Sequence, residues 1–105
     1  MDEEILDFIR TVVGSVWSLE LILFMRAHAG RGWTERQLAH ELRGAERQAS
    51  EVAAALVSAG LLARRSDGLV YAPTSPGLDR LVGKLAAAYA ERPVTVVNAI
   101  ASSGP

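Results

Sequence analysis

Two short helical patterns meet at a single glycine in the middle of the sequence, and this arrangement constrains the fold most. Thr34 and Gln37 have the spacing of a capping box, in which both side chains satisfy free N–H groups at a helix start. The periodicity predicts one helix over residues 35–43 and a second over residues 45–59. The apolar face of the second helix is predicted to carry Ala49, Val52, Ala53 and Leu56. Gly44 fits the left-handed residue of a tight turn between the helices.

A strand, turn and strand pattern follows the second helix directly. Gly60 ends that helix, and residues 61–65 and 69–72 have the composition of two short strands. The intervening Ser66-Asp67-Gly68 predicts the turn of a small hairpin. Upstream of both helices, Trp33 is predicted to be a lone strand residue. The predicted order is therefore lone strand residue, helix, tight turn, helix and hairpin.

Two helices are predicted before this central segment. Asp2 is a suitable N-cap for an amphipathic first helix that Gly14 ends. Ser15 or Ser18 restarts the chain as a second helix. That helix is apolar on nearly every side as far as residue 28, so we expect it to be central to the core.

Two further helical segments are predicted after the hairpin. Ser75 followed by Pro76 supplies an N-cap and a proline at the first helical position. The helix that starts there is predicted to run until Pro93 breaks it. Residues 94–100 are apolar and predict a last, short helix.

The central order of elements resembles the winged helix-turn-helix domains of MarR-like and ArsR-like bacterial regulators. Two motifs carry the resemblance, which covers residues 15–72. They are Trp33-Thr34-Glu35-Arg36-Gln37-Leu38-Ala39 before and within the first helix of the pair, and Ala59-Gly60-Leu61-Leu62 at the end of the second. The resemblance implies a mainly α fold with a small β-hairpin, the wing, and with extra N- and C-terminal helices.

The length of 105 residues leaves room for one hydrophobic core. We therefore expect residues 1–105 to form a single winged helix domain. It would consist of an N-terminal helix over residues 1–14, a winged core over residues 15–72 and C-terminal helices over residues 73–105.

The resemblance also implies a small transcriptional regulator that binds double-stranded DNA. In such regulators the second helix of the pair enters the major groove and the wing touches the backbone. Arg reads guanine and Gln reads adenine through paired hydrogen bonds, and further arginines meet phosphates. The residues that match are Arg47, Gln48 and Ser50 on the helix, with Arg36, Arg43, Arg64 and Arg65 around it. The alternative is that these side chains form an ordinary solvent-exposed surface without a DNA contact, in which Arg47 pairs with Glu51 one helical turn away.

The charge distribution leaves a second function open. The whole chain has a net charge of −1, whereas residues 31–65 carry six arginines against four glutamates. This segment is the only plausible anion-facing surface. However, Glu46 and Glu51 share the exposed face of the second helix with Arg47, and a carboxylate near phosphate costs affinity. The alternative function is a winged-helix protein-protein interaction module without DNA binding.

The sequence predicts neither an enzyme nor a metal or cofactor site. It has no cysteine, and His28 and His40 stand apart without ligands at metal-binding spacing. No phosphate-binding loop and no nucleophile, base and acid constellation is present. The acidic start and the absence of an apolar run of roughly 18 residues predict a cytoplasmic protein without a membrane span.

The apolar ends of the chain raise the question of a partner. The N-terminal arm and the segment from Leu85 to Ile100 carry more hydrophobic side chains than the small winged core obviously covers. Either these segments wrap the core or they pair with another chain. A homodimer would present two copies of the DNA-reading helix to a two-fold operator, so we predict that state, with intramolecular packing as the alternative.

Overall fold

The computed structural model describes residues 2–103, apart from the Ser103 side chain. Within that range the fold is mainly helical with one two-stranded antiparallel sheet, as the sequence predicts. The elements in chain order are α1 (Glu3–Phe8), a π-helical turn (Ile9–Val13), α2 (Val16–Ala27), α3 (Glu35–Glu41), α4 (Glu46–Ser58), β1 (Leu62–Arg65), β2 (Gly68–Tyr71), α5 (Pro76–Glu91) and α6 (Pro93–Ser103).

The N-terminal helix begins and ends where the sequence predicts. The Asp2 carboxylate accepts a hydrogen bond from the Glu4 amide at 2.8 Å, and Gly14 stops the helix with a φ of 72°. The π-helical turn is a difference from the prediction of an ordinary helix. In this turn the Gly14 amide donates to the Ile9 carbonyl, and the wider spacing leaves both Ile9 and Val13 buried.

The second helix is central to the core, which confirms the prediction. Ser15 rather than Ser18 is its cap, because the Ser15 hydroxyl accepts a hydrogen bond from the Ser18 amide at 3.1 Å. The buried apolar side chains of α2 are Leu19, Leu21, Ile22 and Met25.

The capping box at the start of α3 is confirmed, whereas the prediction for the following turn is wrong. Thr34 and Gln37 exchange both hydrogen bonds of the box, at 3.0 and 3.1 Å. The left-handed residue of the turn is Arg43, with a φ of 54°, and not Gly44. Gly44 is needed for a different reason: a Cβ atom there would lie 2.7 Å from the indole ring of Trp17.

The hairpin is tighter than the sequence predicts. The sequence predicts Gly68 in the turn, but Gly68 is the first residue of β2 and pairs with Arg65. The connection between the strands is therefore Ser66-Asp67 alone. Gly68 has a φ of 120°, and a Cβ atom there would lie 2.6 Å from the Trp33 carbonyl oxygen. Trp33 is confirmed as a lone strand residue, because its amide and carbonyl each bond to Leu69 at 2.8 Å.

The two C-terminal helices meet at Pro93. The Ser75 hydroxyl accepts from the Leu78 amide, and Pro76 is the first residue of α5, both as expected. The last helix, α6, is longer than the predicted 94–100, since it begins at Pro93 itself and continues to Ser103. Proline is well tolerated there because the first N–H group of a helix has no intrahelical acceptor.

The terminal helices wrap the core of the same molecule. Ile5 and Phe8 from α1, together with Val96 and Ile100 from α6, belong to the buried cluster that also contains α2. Among the described residues, the large apolar side chains that remain exposed are Val16 and Val94. Intramolecular packing thus accounts for the apolar ends of the chain. The homodimer stays a prediction based on operator symmetry.

A half-buried polar contact joins α2, β2 and α5. The Tyr71 hydroxyl donates to the Asp79 carboxylate at 2.7 Å, and Arg26 Nε lies 3.5 Å from the same oxygen. Burial of the phenol and then its hydrogen bond to Asp79 raise the pKa of Tyr71. This contact fixes the second strand of the hairpin to the helical core.

No single helix within residues 2–103 combines the length and the apolar composition that a membrane crossing requires. The segments Glu3–Val13 and Val16–Ala27 reach that composition only as a pair, and they are bent by 103° relative to each other.

Candidate nucleic-acid interface

The predicted base-reading residues lie on the exposed side of α4. Ala49, Ala53 and Leu56 are fully buried and anchor one side of the helix, while Val52 is half-buried. The side chains predicted to face away from the core are all exposed, namely Glu46, Arg47, Gln48, Ser50, Glu51 and Ala54. The helix therefore presents a hydrophilic surface in its first two turns.

Arg47 and Glu51 form an ion pair on that exposed surface. Arg47 Nε donates to Glu51 Oε1 at 3.2 Å, and the two side chains remain 90% and 68% exposed. The sequence spacing predicts this pair, because residues four apart are neighbours on a helix.

Two more arginines are paired across elements. Arg36 Nε on α3 lies 3.6 Å from a carboxylate oxygen of Glu46 at the start of α4. Arg64 on β1 donates to Glu35 on α3 at 3.1 Å. These contacts depend on how the elements pack, so the sequence spacing gives no signal for them.

We call the residues of these three pairs the charged strip, in which five residues are exposed and Glu35 is half-buried. It runs from the hairpin over the start of α3 to α4 through Arg64, Glu35, Arg36, Glu46, Arg47 and Glu51. Three arginines match three glutamates, so the strip itself is neutral. Three of the seven predicted site residues, Arg36, Arg47 and Arg64, belong to the strip, and each is paired with a different glutamate.

Arg43 and Arg65 differ from the strip arginines, because neither forms an ion pair within residues 2–103. Arg43 is exposed in the turn between α3 and α4, and Arg65 is exposed at the end of β1. Arg65 also borders an open cleft of ≈ 350 Å³ between the hairpin and the start of α3. The cleft is lined by Thr34, Glu35, Arg64, Arg65, Ser66, Asp67, Gly68 and Leu69.

An aromatic cluster supports the base of the hairpin. The Trp33 ring is 4% exposed, meets Phe24 edge-on at 4.8 Å and has the Arg31 guanidinium 3.7 Å above its centroid. Such a cation over an indole face is attracted by the ring quadrupole. No sequence pattern predicts this role of Arg31, because the relative orientation of side chains two residues apart in a bend depends on the local backbone.

Within residues 2–103, no three His, Asp or Glu side chains converge in a way that could hold a metal ion.

No protein-family model, curated protein or solved structure matches the chain. The functional interpretation therefore depends on the geometry of α4, the hairpin and the charged strip.

Proposed function

We propose that this chain is a winged helix-turn-helix module that binds double-stranded DNA as a small transcriptional regulator. In this proposal α4 docks in the major groove, where Arg47, Gln48 and Ser50 meet base edges. The hairpin is the wing, and Arg64 and Arg65 contact the phosphate backbone. Arg36 and Arg43 hold the phosphates beside α4.

One observation carries the proposal: ion pairs join the hairpin to the start of α3, and the start of α3 to the start of α4. The Arg64–Glu35 and Arg36–Glu46 contacts link these three elements in sequence. When a duplex lies along these elements, α4 can occupy its major groove while the hairpin contacts its phosphate backbone.

The ion pairs of the strip are compatible with phosphate binding. An exposed ion pair such as Arg36–Glu46 is worth only about 0–1 kcal/mol, so Arg36 can turn to a phosphate with little loss, although the freed carboxylate still repels the phosphate and lowers affinity. Arg43 and Arg65 need no such exchange, since they have no carboxylate partner among the described residues. We therefore expect modest affinity for non-specific DNA and a larger affinity for a matching sequence.

The deciding experiment is a titration of a fluorescent mixed-sequence duplex with the protein at several salt concentrations. DNA binding through the strip predicts that log affinity falls linearly with log salt, with a slope that corresponds to several released counterions. A flat response, or no binding at low salt, would contradict the proposal. Unchanged DNA affinity in Arg47→Ala would remove the base-reading role of that residue.

A second candidate function is a protein-protein interaction module, and the neutrality of the charged strip favours it. Alternating arginines and glutamates complement another protein surface of mixed charge better than a uniform polyanion. This candidate predicts a stoichiometric partner that co-purifies after gentle lysis and no salt-sensitive DNA binding. Loss of that partner in a variant of Arg36 or Glu51 would locate the contact on the strip.

The proposed regulator acts as a cytoplasmic homodimer, because two copies of α4 match two half-sites of a two-fold operator. Sedimentation equilibrium with and without duplex DNA tests the oligomeric state. A monomer in both conditions would contradict the homodimer. The DNA-binding proposal itself is tested separately, by the salt titration.

A further inference from the structure

The two glutamates on the exposed side of α4 have different structural surroundings. Glu46 is the first residue of the helix, and its exposed carboxylate lies 3.6 Å from Arg36 on α3. Glu51 lies one turn further along and contacts Arg47 of its own helix. The two carboxylates would therefore not act alike toward a bound duplex.

Helix geometry places Arg47 and Glu51 at the centre of the outward face. With about 3.6 residues per turn, these two positions lie opposite the buried Ala49, Ala53 and Leu56. The same geometry places Glu46 near the edge of the exposed face. A helix that enters a major groove with its buried side away from the DNA would bring Arg47 and Glu51 closest to the base edges.

The hydrogen bond between the two side chains leaves the groups that recognise bases available. Arg47 uses Nε toward Glu51 Oε1, and no contact within residues 2–103 engages its two terminal nitrogens. Those two nitrogens form the donor pair that fits guanine O6 and N7. Glu51 Oε2 is likewise without a partner among the described residues and can accept a hydrogen bond from the cytosine N4 amino group.

We infer that Arg47 and Glu51 form one base-reading unit for guanine and cytosine, in which Arg47 contacts guanine and Glu51 contacts the cytosine amino group. This inference rests on the proposed DNA-binding function and specifies its target as a site with G·C pairs under the start of α4. The hydrogen bond places the two head groups side by side on the outward face of α4. In this role Glu51 contributes to sequence preference, whereas Glu46 only adds negative charge.

The test is a binding selection from duplexes with a randomised central segment, followed by affinity measurements on the selected and scrambled sequences. Wild type is expected to select G·C pairs at one position, with a preference of roughly tenfold over A·T. Glu51→Ala is expected to lose that preference while its affinity for scrambled DNA stays equal or rises. Alanine suits a helix interior, so the variant is expected to fold.

Glu46→Ala is the matched control, because it removes a second exposed carboxylate of α4 that lies at the edge of the outward face. We expect it to raise affinity for all sequences alike and to keep the G·C preference. The inference is overturned if Glu51→Ala and Glu46→Ala each change the affinities for selected and scrambled DNA by the same factor. It is also overturned if wild type binds DNA without a G·C preference. Both results leave the DNA-binding proposal standing. Wild type that shows no salt-dependent DNA binding overturns both.

Discussion

The indole N–H of Trp17 donates a hydrogen bond to the backbone carbonyl of Leu42, with 3.0 Å between the two heavy atoms. The bond joins the first turn of α2 to the residue that ends α3. It also places the Trp17 ring directly against the backbone of the turn that precedes α4. The orientation of α4 thus depends on a side chain far away in the sequence.

The contact predicts that Gly44→Ala destabilises the protein. The new methyl group would lie 2.7 Å from the Trp17 ring, and overpacking of this kind costs about 1–3 kcal/mol. Urea denaturation followed by circular dichroism measures the free energy of unfolding. Gly77→Ala is the control, since the nearest atom to its Cβ is 3.8 Å away and a helical alanine is favoured over glycine. Equal stability of the two variants would contradict the role of the Trp17 ring.

The hydrogen bond between Tyr71 and Asp79 predicts an alkaline loss of stability. Folding raises the pKa of Tyr71 above its ordinary value of 10.0, because the phenol is partly buried and donates to Asp79. The protonated phenol therefore stabilises the fold fully below pH 10.0, and this contribution is lost as the pH rises above that value.

Tyr71→Phe tests this contribution directly. We expect a loss of about 1 kcal/mol at neutral pH, and a difference from wild type that shrinks as the pH passes 10.0. Tyr89→Phe is a comparison for the size of the loss at neutral pH: the Tyr89 hydroxyl donates to Glu20 at 3.0 Å in an exposed position, so its removal costs less, and this hydrogen bond also raises the pKa of Tyr89. A pH-independent difference between wild type and Tyr71→Phe would count against the assignment.

The capping box predicts that Thr34 stabilises α3 and the part of the charged strip that this helix carries. Thr34→Ala removes the acceptor for the Gln37 amide and should cost about 1 kcal/mol. Thr34→Ser keeps a hydroxyl at the same place and should retain most of the stability. Thermal unfolding of the three proteins distinguishes a loss of the cap from a general effect of substitution at this position.

Arg65 has no ion-pair partner within residues 2–103, and this predicts that it contributes to the salt dependence of DNA binding. If Arg65 contacts a phosphate, Arg65→Ala lowers affinity for all sequences alike and reduces the salt slope by about one unit. Arg80 is exposed on α5 and outside the strip, so Arg80→Ala provides the control. Identical slopes for wild type and Arg65→Ala would exclude a phosphate contact at the hairpin end.

Most helix starts could be predicted from the sequence because each has a local chemical signature. Asp2, Thr34 and Ser75 cap the helices that follow them, and Pro76 occupies the first position of α5. Their hydrogen bonds join residues two or three apart, so no knowledge of the packing is needed. The hairpin and the pair of Arg47 with Glu51 are local in the same sense.

The misplaced features depend on contacts between distant residues. Gly44 has no left-handed backbone, and its small size matters only because Trp17 packs against it from another helix. Gly68 pairs with Arg65 as a strand residue, and a side chain is excluded there because the Trp33 backbone lies close to it. The Arg36–Glu46 and Arg64–Glu35 pairs likewise require the packing of α3 against α4 and β1.

The bridge between Trp33 and Leu69 makes the chain between them a closed segment. Two backbone hydrogen bonds of 2.8 Å join its ends, and every residue that we assign to DNA contact lies between them. The helices on either side of this segment complete the core but contribute none of those contacts. We therefore expect the Trp33 and Leu69 amides to exchange their hydrogens at similar rates, because the two hydrogen bonds of the bridge open together.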